Sequence, residues 1–322
     1  MSERWNLPER EATPERTAMS RRRWLKWLGL GGLAVGAGGG LYWWKYRGTD
    51  DEVLASGRVA APPGADLYPA AAAQRRFREV DRPLTDEVEA ARYCNFYEFS
   101  IHKSVWRWVD KFQPVPWKIE VGGLVAKPRT FDVDDFLHAW PLEERIYRHR
   151  CVEAWAMVIP WTGFPLAALL RKVEPLPAAR FVRFVSFYRP EEAGRQGNRG
   201  EPWPYNEGLT LAEATSPLTF VATGMYGHPL LKQHGAPVRL VVPWKYGFKS
   251  AKSIVRIELT ARQPATFWNT VVPYAYDFQS NVNPNVPHPS WSQARERMLG
   301  TGEVRPTQLY NGYGEWVADL YR

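Results

Sequence analysis

Two stretches of the 322-residue chain carry side chains in an order that could do chemistry. The first is Arg148-His149-Arg150-Cys151-Val152-Glu153-Ala154-Trp155. Cationic neighbours favour the thiolate, the form of cysteine that attacks electrophiles and binds metals. Cys151 can therefore be read as a buried structural thiol, as a nucleophile paired with a histidine, or as a ligand to a soft metal. His149 lies two residues earlier and would share the face of Cys151 on a strand. The other histidines, His102, His138, His228, His234 and His288, show no H-x-x-x-H or H-E-x-x-H spacing. That argues against a zinc site built from protein ligands alone. The second stretch, residues 239–252, holds Arg239, Lys245, Lys249 and Lys252 and no acid, with Gly247 for close backbone approach and Ser250 as a small donor. A basic, glycine-containing segment after a strand suits a phosphate-bearing cofactor. The alternative is a solvated basic loop. No G-x-G-x-x-G and no G-x-x-x-x-G-K-[ST] occurs, so dinucleotide and P-loop chemistry have no support.

The bulk composition narrows the classes further. With 45% hydrophobic and 24% charged residues the chain is globular and long enough for one large or two medium domains. Two cysteines and no C-x-x-C exclude a disulfide scaffold, a four-cysteine zinc site and an all-cysteine iron–sulfur site. The 16 Trp, 15 Tyr and 14 Phe can wall a deep pocket or simply pack a core. Net charge is +8, but residues 1–50 contain nine Lys/Arg against five Asp/Glu and so carry half of it. That distribution is not the footprint of a nucleic-acid binder, and none is expected as a partner.

The amino-terminal residues read as an address. Ser20-Arg21-Arg22-Arg23-Trp24-Leu25-Lys26 precedes an uncharged 18-residue run, Trp27 to Trp44, of which seven are glycine. A charged region before a weakly apolar, glycine-rich one is a targeting pattern, and the paired arginines resemble the twin-arginine export signal. The competing reading is a membrane anchor, since 18 residues just reach spanning length. Residues 1–47 are thus expected to be a signal segment or anchor. Residues 48–85, rich in Ala, Pro and Gly, are expected to be a linker, and 86–322 the catalytic domain.

The elements that must position the two stretches are strands and short helices. Trp117 to Val121 alternates and ends at Gly122-Gly123, predicting a strand and turn. Phe181 to Val185, Val238 to Pro243 and Ile254 to Leu259 are predicted strands. Phe131 to Trp140, a segment starting at Gly163 with Pro165 in its first turn, and Leu209 to Ala214 are predicted helices. The tail after Phe267 is expected to be ordered loop. Short helices among strands without βαβ spacing predict an α+β domain with a mixed sheet.

These segments resemble a known family. Cys94-Asn95-Phe96-Tyr97-Glu98-Phe99, residues 141–155 around Cys151, Ala236 to Lys249 and Asn281-Val282-Asn283-Pro284 are similar to the catalytic subunits of periplasmic protein-methionine-sulfoxide reductases, molybdenum enzymes of the sulfite-oxidase fold. The similarity runs from about residue 85 to 322. It implies a sulfite-oxidase-like molybdopterin-binding fold with one molybdenum–molybdopterin per chain and Cys151 as the single protein ligand to the metal. It implies cofactor contacts from Tyr97, Glu98, Ser186, Arg239, Ser250, Ala251 and Lys252, with Arg239 and Lys252 on the pterin phosphate. Cys94 and His234 stand where the family usually has asparagines, Ser186 where it has threonine, and Ser250-Ala251 where it has glycine plus an aliphatic residue. Glu153 is a candidate proton relay. The implied reaction is reduction of protein-bound methionine sulfoxide by oxygen-atom transfer to molybdenum, with another S-oxide, an N-oxide or sulfite as the alternative substrate. A non-enzymatic exported binding protein and a thiol hydrolase remain as different classes. The implied electron donor is a membrane haem-containing subunit, and the implied location the periplasm. A metal-bound Cys151 cannot enter a disulfide, so Cys94 is expected to be a free thiol.

Overall fold

The computed structural model describes residues 48–322; the expected signal segment or anchor lies outside them. Among the described residues no helix is long and apolar enough to cross a membrane. Two mixed sheets carry the domain, as the scattered short helices predicted.

The smaller sheet uses most of the predicted strands. Its order is β3 (Arg129–Asp132), β2 (Lys118–Gly123), β11 (Ile254–Thr260), β6 (Phe181–Ser186) and β7 (Asn206–Thr210). β2 and β11 run parallel, and the other pairs are antiparallel. Alternation drives it: Ile119, Val121, Val182, Phe184, Ile257 and Leu259 point into the core while their neighbours face outward. The turn after β2 needs Gly123, whose φ is +78° and whose missing Cβ would sit 2.3 Å from the Leu259 carbonyl oxygen.

The larger sheet holds what the residue pattern concealed. Its spine is β4 (Glu143–Arg150) and β5 (Trp155–Pro165), antiparallel over their whole length. One edge of β4 takes β1 (Ala71–Ala72) in parallel. The far edge of β5 is shared: β12 (Arg295–Met298) pairs its first residues, and β8 (Phe220–Met225) its last. β9 (His228–Pro229) and β10 (Arg239–Val241) flank β8, and β13 (Val304–Pro306) flanks β12. β4 does not look like a strand because its buried positions include Arg145 and Arg150. Arg145 is tolerated because its guanidinium stacks on Phe77 at 3.8 Å and Phe220 at 4.7 Å. β5 is buried almost throughout and contains Pro160, which sequence reasoning counts against a central strand.

Five expectations need correction. Residues 48–85 are not a bare linker. Helix α1 (Asp50–Gly57), set by a Thr49/Glu52 capping box, buries Val53 against Trp106 and Leu231, and Ala71–Ala72 joins the large sheet. The helix expected from Gly163 begins only at Leu166. Gly163 to Pro165 end β5, and a Cβ at Gly163 would strike the Val221 carbonyl of β8. The helix expected over Phe131–Trp140 starts at Val133, after β3, and the one expected from Leu209 starts at Leu211, because Thr210 and Glu213 form a capping box there. The tail is not loop alone: it contributes β12, β13 and short helices at Phe267–Val271 and Gly314–Val317.

Candidate active site

Three connections between strands converge on one buried cavity. The β4–β5 hairpin supplies Cys151, the first residue of its turn. Cys151 N donates to Trp155 O at 2.9 Å and Ala154 N to Cys151 O at 3.1 Å, with Ala154 at φ +63°. A second connection, residues 94–103, is pinched shut by Cys94 N donating to Lys103 O at 3.0 Å and displays Asn95, Tyr97 and Glu98. The third runs from β10 to β11, beginning with Arg239 and ending with Lys252. Trp155, Met157, Trp161, Met225, Trp268 and Tyr276 complete the walls.

The sulfur of Cys151 has polar company. Asn95 Nδ2 approaches it at 3.5 Å, Glu153 N at 3.4 Å, and Glu153 Oε2 lies 3.8 Å away. Glu153 Oε2 also accepts from Trp155 Nε1 at 3.2 Å and pairs with Lys103 Nζ at 2.5 Å, while Tyr97 hydroxyl donates to Oε1 at 3.4 Å. Burial pushes the Glu153 carboxyl up, but Lys103, Trp155 and Asn95 outweigh it and hold the group below its ordinary value.

The cationic neighbours of Cys151 do not make a ready thiolate. Burial, then the Glu153 carboxylate, push its thiol up to about 12. Arg148 turns away to Asp81, Gln308 and Asn311, and Arg150 is occupied with Glu296. His149 shares the cavity, but burial, then Arg239 and Lys252, bring its pKa down to about 3, so it is neutral. Among the described residues no hydrogen bond joins it to Cys151. Without a histidine in contact with the sulfur, the His-paired nucleophile reading lacks its partner, whereas a bound metal would itself displace the thiol proton.

The basic stretch divides. Lys245 pairs with Glu213 and Lys249 with Glu207, each at 2.5 Å, buried and away from the sulfur. Arg239 and Lys252 line the cavity and, among the described residues, meet no carboxylate within ion-pair distance. Arg239 donates to His234 O at 2.9 Å and lies over the Trp161 ring; Lys252 donates to Asn95 O at 2.6 Å and Gln233 O at 3.0 Å. Burial lowers Arg239 to about 10, and burial with the Arg239 charge nearby lowers Lys252 to about 8 against the opposing pull of Glu98. Gly247 does permit a close approach, but to a side chain: a Cβ there would sit 2.5 Å from His149 Cε1.

The remaining candidates fall in two groups. Cys94, Tyr97, Glu98, His234 and Ser250 line the cavity. Both cysteines are free and buried. His234 is 3% exposed; the Ala90 backbone lies within reach of its ring, and among the described residues neither ring nitrogen makes a well-formed hydrogen bond. Ser186 and Ala251 sit behind the lining. Ser186 Oγ lies 2.9 Å from Glu98 Oε1 and 2.8 Å from Lys252 O, bracing both, and Ala251 O accepts from Leu240 N. Residues that sequence reasoning left out of the site are Asn95 and Lys103. Asn95 was detectable by its place beside Cys94 in the quoted motif; a lone Lys eight residues on carries no such signal.

Glu98 offers a pH test. Burial pushes its carboxyl up from 4.5 to about 7. A raised carboxyl contributes stability below pH 4.5 that is lost as pH rises through 7. Wild type should therefore lose up to about 3 kcal/mol relative to Glu98→Gln between pH 4.5 and 7.5. Parallel thermal melts of the two proteins across that range measure it.

Comparison with known proteins agrees with this geometry. Residues 106–268 match the oxidoreductase molybdopterin binding domain. The chain is 46% identical over 325 residues to the protein-methionine-sulfoxide reductase catalytic subunit MsrP of Burkholderia mallei, covering 98% of this chain and 93% of that protein. The crystal structure of the sulfane dehydrogenase SoxCD from Paracoccus pantotrophus overlays with a TM-score of 0.41 at 16% identity, covering 65% of this chain and 48% of that one, a likeness too loose to argue from. With two buried cations and a buried thiol lining one cavity, and with the domain match and the Burkholderia relative, the chain belongs to the family of protein-methionine-sulfoxide reductase catalytic subunits, oxidoreductases with a molybdopterin-binding domain.

Proposed function

We propose that this oxidoreductase reduces methionine sulfoxide carried in oxidised proteins to methionine, using one molybdenum–molybdopterin per chain, in the periplasm. The observation that carries the reading is the pairing of two buried cations, Arg239 and Lys252, neither in an ion pair among the described residues, with the buried sulfur of Cys151 in one cavity. The cavity suits such a cofactor in three ways. The cations call for an anion such as a phosphate. The buried His234 ring, which makes no well-formed hydrogen bond among the described residues, can offer a polar contact. A cysteine sulfur suits a soft-leaning metal. Arg239 and Lys252 would hold the phosphate, Tyr97, Glu98, His234, Ser250 and Cys94 would contact the pterin, and Cys151 would ligate the metal.

The bound group supplies two-electron oxygen-atom-transfer chemistry. Turning a sulfoxide into a thioether and water also takes two protons. Tyr97, whose hydroxyl donates to Glu153 beside the Cys151 sulfur, and the Glu153 carboxylate, which can accept a proton and pass it on, are the side chains placed to relay them. The electrons come from a partner subunit, as the catalytic-subunit name of the Burkholderia relative suggests, and a membrane haem-containing subunit is the proposal for it. The twin-arginine pattern at Arg21-Arg22 supports export by that route. An open groove with Pro273, Tyr274, Val286 and Pro289 in its walls includes Trp291, whose Nε1 donates at 2.7 Å to the carbonyl of Val152, a residue of the cavity lining. A groove this near the Cys151 turn suits a polypeptide-borne sulfoxide.

The test is metal and pterin analysis of natively exported protein beside Cys151→Ser and Cys151→Ala. Wild type should carry molybdenum and pterin in equal amounts. Cys151→Ala should keep pterin, remain folded and lose turnover. Assays with oxidised protein, free sulfoxides, N-oxides and sulfite then rank the substrates. Wild type without molybdenum, or active on sulfite and inert toward sulfoxides, would overturn the reading.

A further inference from the structure

We propose that Lys103 is a positioning residue for the Cys151 centre: it holds the Asn95 side chain so that its amide N–H faces the sulfur, and it supplies the positive charge that lets Glu153 stand beside a thiolate. The inference rests on Cys151 being a metal ligand.

The geometry leaves Asn95 one orientation. Lys103 Nζ is 2.7 Å from Asn95 Oδ1. An ammonium has donors only, so the amide oxygen must face it. The opposite end, Nδ2, then points at Cys151 Sγ, 3.5 Å away, and at Glu153 Oε2, 3.3 Å away. With the amide reversed, its NH2 would confront the ammonium and its oxygen would confront a thiolate and a carboxylate. Lys103 thereby decides which atom of Asn95 meets the sulfur without touching the sulfur itself.

The second task follows from charge. Glu153 Oε2 lies 3.8 Å from Cys151 Sγ. A protonated thiol can donate across that gap. A metal-bound thiolate cannot, and two negative groups would then face each other in a buried site. Lys103 Nζ, 2.5 Å from the same carboxylate oxygen, supplies the opposite charge. Its side chain is only 24% exposed, so solvent does little to screen it. The closure of the 94–103 loop by Cys94 N and Lys103 O ties the lysine backbone to the residue before Asn95, so one closed loop carries both Lys103 and Asn95.

Hydrogen bonds and charges around a ligating sulfur tune a metal centre's reduction potential. The experiment compares wild type, Lys103→Met, Lys103→Arg, Asn95→Leu and Lys103→Met/Asn95→Leu, all as natively exported enzyme, by metal and pterin content, melting temperature and spectroscopic redox titration. Removing the N–H donor and the cation disfavours the more electron-rich reduced state. Lys103→Met should therefore keep its metal and change the reduced-to-oxidised ratio at fixed potential at least tenfold toward oxidised, about 30 mV for a two-electron couple. Lys103→Arg, which also donates to both oxygens, should recover most of the shift. The double variant should shift less than the sum of the two single ones, because Lys103 acts in part through Asn95. A metal-replete Lys103→Met whose ratio changes less than twofold overturns the role of Lys103 and leaves the proposed function standing. Full additivity with Asn95→Leu overturns it as well. If Lys103→Met loses its metal, Asn95→Leu decides alone: the same direction of shift supports the inference and an unmoved potential overturns it. Wild type without metal overturns both this and the proposed function.

Discussion

Arg239→Met should strip the cofactor: at least about 30-fold less pterin should survive purification than in wild type. Truncating one partner of a buried, hydrogen-bonded charge pair costs about 2–5 kcal/mol, and each 1.4 kcal/mol is tenfold in affinity. Arg239 qualifies because it is 4% exposed and meets no carboxylate among the described residues, so a bound anion would be its counter-charge. Lys252→Met should behave similarly and should also alter the pH dependence of cofactor-free protein, made in cells that cannot synthesise the pterin. The folded-state pKa of Lys252, about 8, is below its ordinary 10.5. The folded protein therefore binds fewer protons than the unfolded chain between those values, and stability rises with pH across that window. Lys252→Met should remove that part of the rise, as read by denaturant melts at pH 7.5 and 10. Retention of pterin by the double Arg239→Met/Lys252→Met variant would exclude these residues as its anchor.

Glu296→Gln should be the most damaging single change to stability, lowering it by about 3–5 kcal/mol. Glu296 is 1% exposed; one carboxylate oxygen takes Arg82 and the other takes Arg150 Nε at 3.1 Å. The amide would leave both guanidiniums buried with one less charge between them, and Arg150, 0% exposed, would lose its carboxylate partner. The consequence reaches the site. Arg150 also donates to the Cys151 carbonyl, to Gln293 Oε1 at 2.9 Å and to Thr307 Oγ1 at 3.2 Å, and Gln293 Nε2 donates to Val152 O at 2.7 Å. The tail thus grips the backbone of the Cys151 turn through a charged core. Glu296→Gln should lower the melting temperature by about 10 °C and reduce metal retention in parallel. A loss of stability with full metal occupancy would show that the grip serves the fold alone.

What the residues alone determined about this protein is local. Alternation marked β2, β6 and β11, because each buries one face and alternate side chains must then be apolar. Cys151 stood out with its flanking charges, and Arg239 and Lys252 stood out in a window free of acids. The family resemblance joined them, and the relatives bear out the family. Tertiary structure decided the rest. β4 and β5 hid because a strand that buries arginines in ion pairs and stacks, or buries both faces around Pro160, has no alternation to read. The short segment 48–85 gained structure from a capping box and from a sheet edge far away in sequence. Of four cations in one basic stretch, Lys245 and Lys249 went to Glu213 and Glu207, while Arg239 and Lys252 were left facing the cavity. Spacing along the chain cannot make that division, because it depends on which carboxylates distant strands bring within reach. The same limit hid Lys103: its meaning lies in two oxygens, one eight residues away and one fifty, that meet only in the folded chain.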